Sequence, residues 1–176
     1  VLLLWLVIPV VGAWPYVLDG GMSFVDALFE SMSGFTTTGA TVLRDFGAFG
    51  PELFLWRALS QWVGGVGIIV LFIAVFPQLA IAGRQLFFAE APGPSEDRMT
   101  PRLRNTASAV LIVYVGLTLA CALGYLATGM GPYDAVAHAF TTLAAGGFSP
   151  QARSFEGFSA GSQWVAIVFI VVAGAN

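Results

Sequence analysis

Residues 23–41 read SFVDALFESMSGFTTTGAT, an amphipathic segment that runs directly into a peptide of threonine, glycine and alanine. Ser23 is a suitable N-cap and Asp26 follows three residues later, a variant of the capping box, so we predict a helix over 23–35. Such a helix is roughly 20 Å long, too short for a hydrocarbon core of roughly 30 Å. Non-helical backbone is tolerated at membrane depth only where protein buries it or it lines a watery path. The stretch is therefore typical of a re-entrant pore loop.

The composition indicates a membrane protein. Of the 176 residues, 57% are hydrophobic and only 10% are charged, whereas a soluble domain is about 25% charged. The net charge of −3 and the lack of a basic cluster argue against a nucleic-acid partner. Cys121 has no partner for a disulfide or a metal site, so we expect a small core residue. We predict an all-α polytopic protein of a cell membrane, with the lipid bilayer around it.

The chain resembles itself when it is shifted by 108 residues. This shift places Gly39 on Gly147 and Trp56 on Trp164, and it matches the apolar runs on either side. Each unit reads as spanning helix, pore helix, extended loop and spanning helix, so the units are predicted to be parallel repeats. The predicted divisions are a first repeat at 1–83, a cytoplasmic linker at 84–105 and a second repeat at 106–176. Both ends fall in apolar runs, and we expect a fragment of a longer protein.

The charges orient the repeats in the membrane. Residues 84–104 hold four of the seven arginines, which predicts a cytoplasmic position. The connections on the opposite side carry an excess of carboxylates. We therefore expect the pore loops to face outward, where acidic groups raise the local concentration of cations.

The loops have the chemistry of a cation path. A dehydrated cation needs oxygen ligands, and backbone carbonyls supply them without net charge. Turning the carbonyls inward favours glycine where unusual dihedrals are needed, and Gly39 and Gly147 fit that need. Glycines 64, 65 and 67 in the uncharged run 58–83 leave room for the pore helix to pack. The second loop lacks the threonines of the first, so it must coordinate ions through its backbone.

Several motifs resemble the TrkH/KtrB potassium-uptake family of the Trk/Ktr/HKT superfamily. SGFTTTGAT at 33–41, LWR at 55–57 and QWVGGVG at 61–67 resemble its first pore loop and following helix, and AGGFS at 145–149 and AGAN at 173–176 resemble its second repeat. The resemblance implies four such units around one K⁺ path, of which this chain covers the first two. A glycine at position 39, where more Na⁺-permeable relatives have serine, implies a preference for K⁺. The implied filter residues are Thr37, Thr38, Gly39, Ala40, Ala145, Gly146, Gly147 and Phe148.

The resemblance also implies partners. The full-length protein is expected to be a homodimer that binds a cytoplasmic ring of nucleotide-binding regulatory subunits. K⁺ is the expected transported ion, with no organic cofactor in this chain.

Three residues are predicted to support the loops. His138 falls on Glu30 under the 108-residue shift, midway along each pore helix. We favour a hydrogen bond that anchors the helix over a proton-coupling role for His138, although histidine titrates near neutral pH. For Arg57 we favour a structural ion pair or carbonyl contact over tuning of ion entry.

Other functions stay open from the sequence. Channel-like, K⁺-selective permeation is the leading prediction, and a Na⁺- or H⁺-coupled K⁺ symporter can use the same scaffold. A non-conducting structural protein is a further alternative. An intramembrane hydrolase using Ser33 and His138 is disfavoured because no paired motif joins them, so we predict that the protein is not an enzyme. Ser33→Ala is then expected to leave K⁺ uptake largely intact.

Overall fold

The computed structural model describes residues 2–87 and 99–174, and within these ranges the regular secondary structure is helical. This confirms the all-α prediction. The α-helices are α1 (Leu2–Gly12), α2 (Trp14–Leu18), α3 (Phe24–Phe35), α4 (Pro51–Phe87), α5 (Met99–Ala127), α6 (Pro132–Leu143) and α7 (Ala160–Gly174). Short 3₁₀ turns at Phe46–Ala48 and Ser154–Gly157 follow the two loops.

Helices α3 and α6 are the two predicted pore helices. Each has 12 residues, and their bounds differ by the 108-residue shift at both ends. The Ser23 hydroxyl oxygen accepts from the Asp26 amide at 3.2 Å and donates to the Asp26 carboxylate at 2.8 Å, so the predicted cap is confirmed. Helix α6 begins instead with Pro132, whose fixed φ suits a first turn.

The long helices flank the pore helices. Among the described side chains, residues 106–127 of α5 form a helix that is long and apolar enough to cross a membrane, with a mean hydropathy of 2.2. Shorter apolar helices cover Trp5–Leu18 and Ala160–Gly174. Helix α4 extends to residue 87 and α5 begins at 99, so both ends of the predicted linker 84–105 are helical. Residues 88–98 of that linker lie outside the described residues.

Helix α4 is packed between the two repeats through its glycines. A Cβ at Gly64 would overlap the Phe35 carbonyl at the end of α3. A Cβ at Gly65 would lie 2.7 Å from the Tyr114 hydroxyl and 3.3 Å from the Ala144 Cβ. The predicted room for the pore helix is confirmed, and the same helix also contacts the second repeat.

Two apolar clusters hold the repeats together internally. The first joins α2, α3 and α4 around Tyr16 and Leu53, and the second joins α5, α6 and α7 around Tyr125. Cys121 is fully buried in the second cluster, as predicted for a small core residue.

Candidate functional site

The two loops leave their pore helices along the same backbone path. Two backbone hydrogen bonds turn the chain at the end of each helix, at positions 108 residues apart. In the first loop they are Thr37 N to Gly34 O at 2.9 Å and Thr38 N to Ser33 O at 2.9 Å; in the second they are Ala145 N to Thr142 O at 3.0 Å and Gly146 N to Thr141 O at 2.9 Å. The internal repeat therefore extends from the sequence to the geometry of the loops.

Alternate residues of both loops have a positive φ. The values are 54° at Thr37 and 77° at Gly39, and 50° at Ala145 and 78° at Gly147. A positive φ lies in the left-handed region, so the backbone of each loop departs from an extended path at the same two positions of the repeat. A left-handed conformation costs a residue with a Cβ about 1–2 kcal/mol, so Thr37 and Ala145 persist there because their surroundings hold them.

A buried ion pair holds the first loop. Glu30 is fully buried, and its Oε1 accepts from the Thr41 hydroxyl at 2.5 Å and from the Val42 amide at 2.6 Å. Arg57, only 1% exposed, donates to Glu30 Oε2 from Nε at 3.2 Å and lies 3.1 Å from it through Nη2. The same Nη2 donates to Thr41 at 3.1 Å. Arg57 therefore lies in a structural ion pair that fixes the chain just after Gly39.

His138 takes the place of Glu30 in the second repeat. Its Nδ1 lies 2.8 Å from the Asp134 carbonyl and its Nε2 lies 3.0 Å from the Ser149 hydroxyl. Because a carbonyl can only accept, the proton is assigned to Nδ1, and in the neutral ring Nε2 accepts from Ser149. Ser149 corresponds to Thr41 under the 108-residue shift. Both pore helices thus hold the residue two positions after the loop glycine.

The two loops touch each other at Gly39 and Gly146. A Cβ at Gly39 would overlap the Gly146 carbonyl. Arg57 adds a second link between the repeats, because its guanidinium lies 4.0 Å from the centroid of the Phe148 ring.

Two further side chains hold the loops, and the sequence reasoning missed both. The Ser33 hydroxyl donates to the Ala40 carbonyl at 2.6 Å. The buried Gln61 amide donates to the Gly146 carbonyl at 2.8 Å and accepts from the Phe148 amide at 3.1 Å. A polar side chain inside an apolar membrane run marks a functional position, and Gln61, four residues after Arg57, carried that signal.

The predicted filter residues lie together in these adjacent loops, with different exposure in the described chain. Thr38, Ala40, Ala145 and Gly147 are exposed, Thr37 and Gly39 are half-buried, and Gly146 and Phe148 are buried. The contact of these residues with an ion stays a prediction.

Ser33 and His138, the two residues considered for a hydrolase, are not hydrogen-bonded to each other. Ser33 bonds to Ala40, and the ring nitrogens of His138 bond to Asp134 and Ser149. A nucleophilic serine needs a base within hydrogen-bond reach, and His138 does not serve Ser33 in this way.

The sequence of this chain matches the model of a known protein family. The family model for TrkH, a cation transport protein, matches residues 5–176. The chain belongs to the TrkH family. Its relatives include the Trk system potassium uptake proteins TrkH of Vibrio parahaemolyticus, 42% identical over 180 residues, and of Escherichia coli K12, 41% identical over 180 residues. Each alignment covers 100% of this chain and 37% of the relative.

A solved TrkH structure has the same fold. The crystal structure of the potassium transporter TrkH from Vibrio parahaemolyticus superposes with a TM-score of 0.84 at 38% sequence identity. The match covers 99% of this chain and 35% of that protein. The chain is therefore a helical membrane protein, and it spans little more than a third of the length of its TrkH relatives.

Proposed function

We propose that this chain contributes two quadrants of a K⁺-selective uptake path in the full-length protein. The observation that carries the proposal is the pair of touching loops with positive φ at 37 and 39 and at 145 and 147. Backbone carbonyls from such loops replace the hydration shell of a cation. The C-terminal ends of α3 and α6 lead into the loops, and their partial negative charge also favours a cation.

The proposed mechanism is passive permeation of K⁺ down its electrochemical gradient, with the loops on the external side. K⁺ is the transported ion in this scheme, and no organic cofactor takes part. The full-length protein would act as a homodimer in the cell membrane. A cytoplasmic ring of nucleotide-binding subunits would regulate it.

Proton-coupled K⁺ symport is the second candidate, because one observation favours it. His138 is a fully buried titratable group that bonds directly to the second loop through Ser149. A proton on Nε2 would change that bond from accepting to donating. Coupled transport would use this change, whereas passive permeation does not need it.

Rescue of a K⁺-uptake-deficient strain by the full-length protein tests the proposal. Gly39→Asp should abolish rescue, since the new side chain meets the Gly146 carbonyl and the backbone has a φ of 77°. Gly129→Asp is the matched control, because Gly129 has a φ of 90° in a turn outside the loops and open space around it. Full rescue by Gly39→Asp, or none by the wild type, would contradict K⁺ uptake through these loops.

Proteoliposomes separate the two candidates. With a K⁺ gradient and no Na⁺ or proton gradient, passive permeation predicts K⁺ entry that stops at the K⁺ equilibrium potential. Symport predicts that protons enter in fixed proportion to K⁺, which an internal pH dye detects. His138→Asn should remove proton entry only in the second case.

A further inference from the structure

Gln61 connects the first repeat to the loop of the second. It lies on α4, is fully buried, and is separated from its partners by 85 and 87 residues of chain. Its Nε2 donates to the carbonyl of Gly146 and its Oε1 accepts from the amide of Phe148. The two bonds bracket Gly147, one of the residues predicted to contact the ion.

The peptide that Gln61 holds lies between two glycines. The Gly146 carbonyl belongs to the peptide between Gly146 and Gly147, and neither neighbour has a Cβ that would restrict its rotation. The equivalent peptide of the first loop joins Thr38 to Gly39, and the Thr38 hydroxyl is itself bonded to Thr36 at 2.8 Å. In the second loop, the Gly146 carbonyl is held by a side chain of the other repeat.

The 146–147 peptide is closely packed against both Gln61 and Gly39. A Cβ at Gly146 would overlap the Gln61 amide, and a Cβ at Gly39 would overlap the Gly146 carbonyl. The Gln61 amide therefore contacts the Gly146 carbonyl of the second loop, and that carbonyl in turn contacts Gly39 of the first loop. A rotation of the 146–147 peptide would change both loops at once.

We propose that Gln61 is a positioning residue that fixes the 146–147 peptide and thereby sets the preference of the path for K⁺ over Na⁺. The inference rests on the proposed function, since it concerns the ion path of the same loops. Selection between these ions depends on the number and placement of the carbonyl dipoles that face them. Releasing one carbonyl at the contact between two loops changes that set without removing the path.

The test uses the full-length protein in liposomes, with K⁺ and Na⁺ uptake measured separately. Gln61→Met loses both the donor and the acceptor, and Gln61→Glu keeps the shape while it exchanges the NH₂ donor for a carboxyl group. We expect each to lower the ratio of K⁺ to Na⁺ uptake at least tenfold while total cation uptake persists. Gln163→Glu and Gln163→Met are the controls, since Gln163 is exposed and donates to the Phe155 and Phe158 carbonyls at 3.2 and 3.4 Å, outside the loops.

Several results would overturn the inference. An unchanged ratio in both Gln61 variants would do so, and so would an equal fall in the Gln163 controls. If neither variant reaches the membrane, Gln61→Asn is the third variant, and failure of all three to accumulate would assign Gln61 to folding alone. A wild type that takes up no K⁺ would instead contradict the proposed function. A K⁺-selective wild type with unaffected Gln61 variants would reject only the role of Gln61.

Discussion

Gly39 and Gly147 occupy equivalent positions, but different contacts require glycine at each. Both have a φ near 78°, which costs a residue with a Cβ about 1–2 kcal/mol. At Gly39 a Cβ would also overlap the Gly146 carbonyl, whereas at Gly147 it meets no described atom within 4 Å. We therefore expect Gly39→Ala to lower the thermal midpoint of the full-length protein in detergent more than Gly147→Ala does.

The comparison has a simple control at the residue scale. Gly129→Ala carries the same backbone strain in a turn outside the loops, with φ of 90° and open space. Its thermal midpoint should therefore fall by as much as that of Gly147→Ala. Equal losses at Gly39 and Gly147 would show that the steric contact at Gly39 contributes little.

The hydroxyl of Ser33 gives a second prediction at this scale. Ser33→Ala removes its bond to the Ala40 carbonyl at 2.6 Å, and a hydrogen bond of this kind contributes about 0.5–1.5 kcal/mol. We expect a lower thermal midpoint with K⁺ uptake retained, because the carbonyl itself remains. A nucleophilic serine would instead make uptake or activity vanish.

Thr141→Val is the matched change in the second repeat. Thr141 corresponds to Ser33, but its hydroxyl donates to the His138 carbonyl of its own helix at 3.2 Å. Removing it releases no loop carbonyl, so the midpoint should change less than in Ser33→Ala. A larger effect of Thr141→Val would contradict the role given to Ser33.

The sequence predicted the loop glycines but not the side chains that hold the loops. Gly39 and Gly147 could be predicted because the repeat aligns them and because unusual dihedrals require glycine. Gln61 contacts residues 85 and 87 positions away, and no local pattern encodes which residue of an apolar helix faces a distant loop. The polar residue in an apolar run marked the position, while its partners required the tertiary structure.

At the scale of the helices, α3 and α4 are joined by the Glu30–Arg57 ion pair. Removing one member of a buried pair leaves an uncompensated charge and costs about 3–5 kcal/mol, whereas replacing both members costs less. We expect Glu30→Gln and Arg57→Met each to lower the thermal midpoint of the full-length protein strongly. The double variant should lose clearly less than the sum of the two.

The exposed pair Arg153–Glu156 is the control for this cycle. Its side chains are 80% and 68% exposed and lie 3.6 Å apart, so the bond is worth little. Changing either or both of these residues should leave the midpoint nearly unchanged. Additive losses at Glu30 and Arg57 would reject their coupling.

The N-terminal ends of the pore helices were predictable because local chemistry determines where each helix begins. Ser23 and Asp26 cap α3, and Pro132 begins α6. The beginning of α5 at Met99 was not predicted, because the run of charges and prolines at 84–105 indicated a linker. Pro101 lies within the first turn of α5, where a proline is tolerated, so the proline did not prevent a helix there.

At the scale of the whole molecule, the two repeats share a backbone path, but matching residues of the two repeats have different surroundings. Trp56 donates to the Gly12 carbonyl at 3.1 Å, whereas Trp164, at the matching position, is 66% exposed in the described chain. The repeat could be found from sequence because hydropathy and glycine spacing recur. The contacts between repeats could not, since Arg57 and Gln61 of the first repeat have no equivalents at 165 and 169.

Parallel repeats also make a topological prediction. The segments that follow the two loops, which include Ala48 and Ala152, should both face outward, and the segment 84–105 should face the cytoplasm. In a full-length background in which Cys121 and every other cysteine are replaced by alanine, we expect Ala48→Cys and Ala152→Cys to react with a membrane-impermeant maleimide in intact cells. Both positions are exposed in the described chain, so the reagent can reach them.

Ser95→Cys, in the segment of arginines, is the reverse case and should react only after the membrane is made permeable. The cysteine-free background should show no labelling, and restoring Cys121, which is fully buried, should add none in intact cells. Labelling of Ala48→Cys and Ala152→Cys from opposite sides would mean that the repeats are inverted. That result would contradict the parallel arrangement, in which both loops enter from the external side, and with it the proposed path.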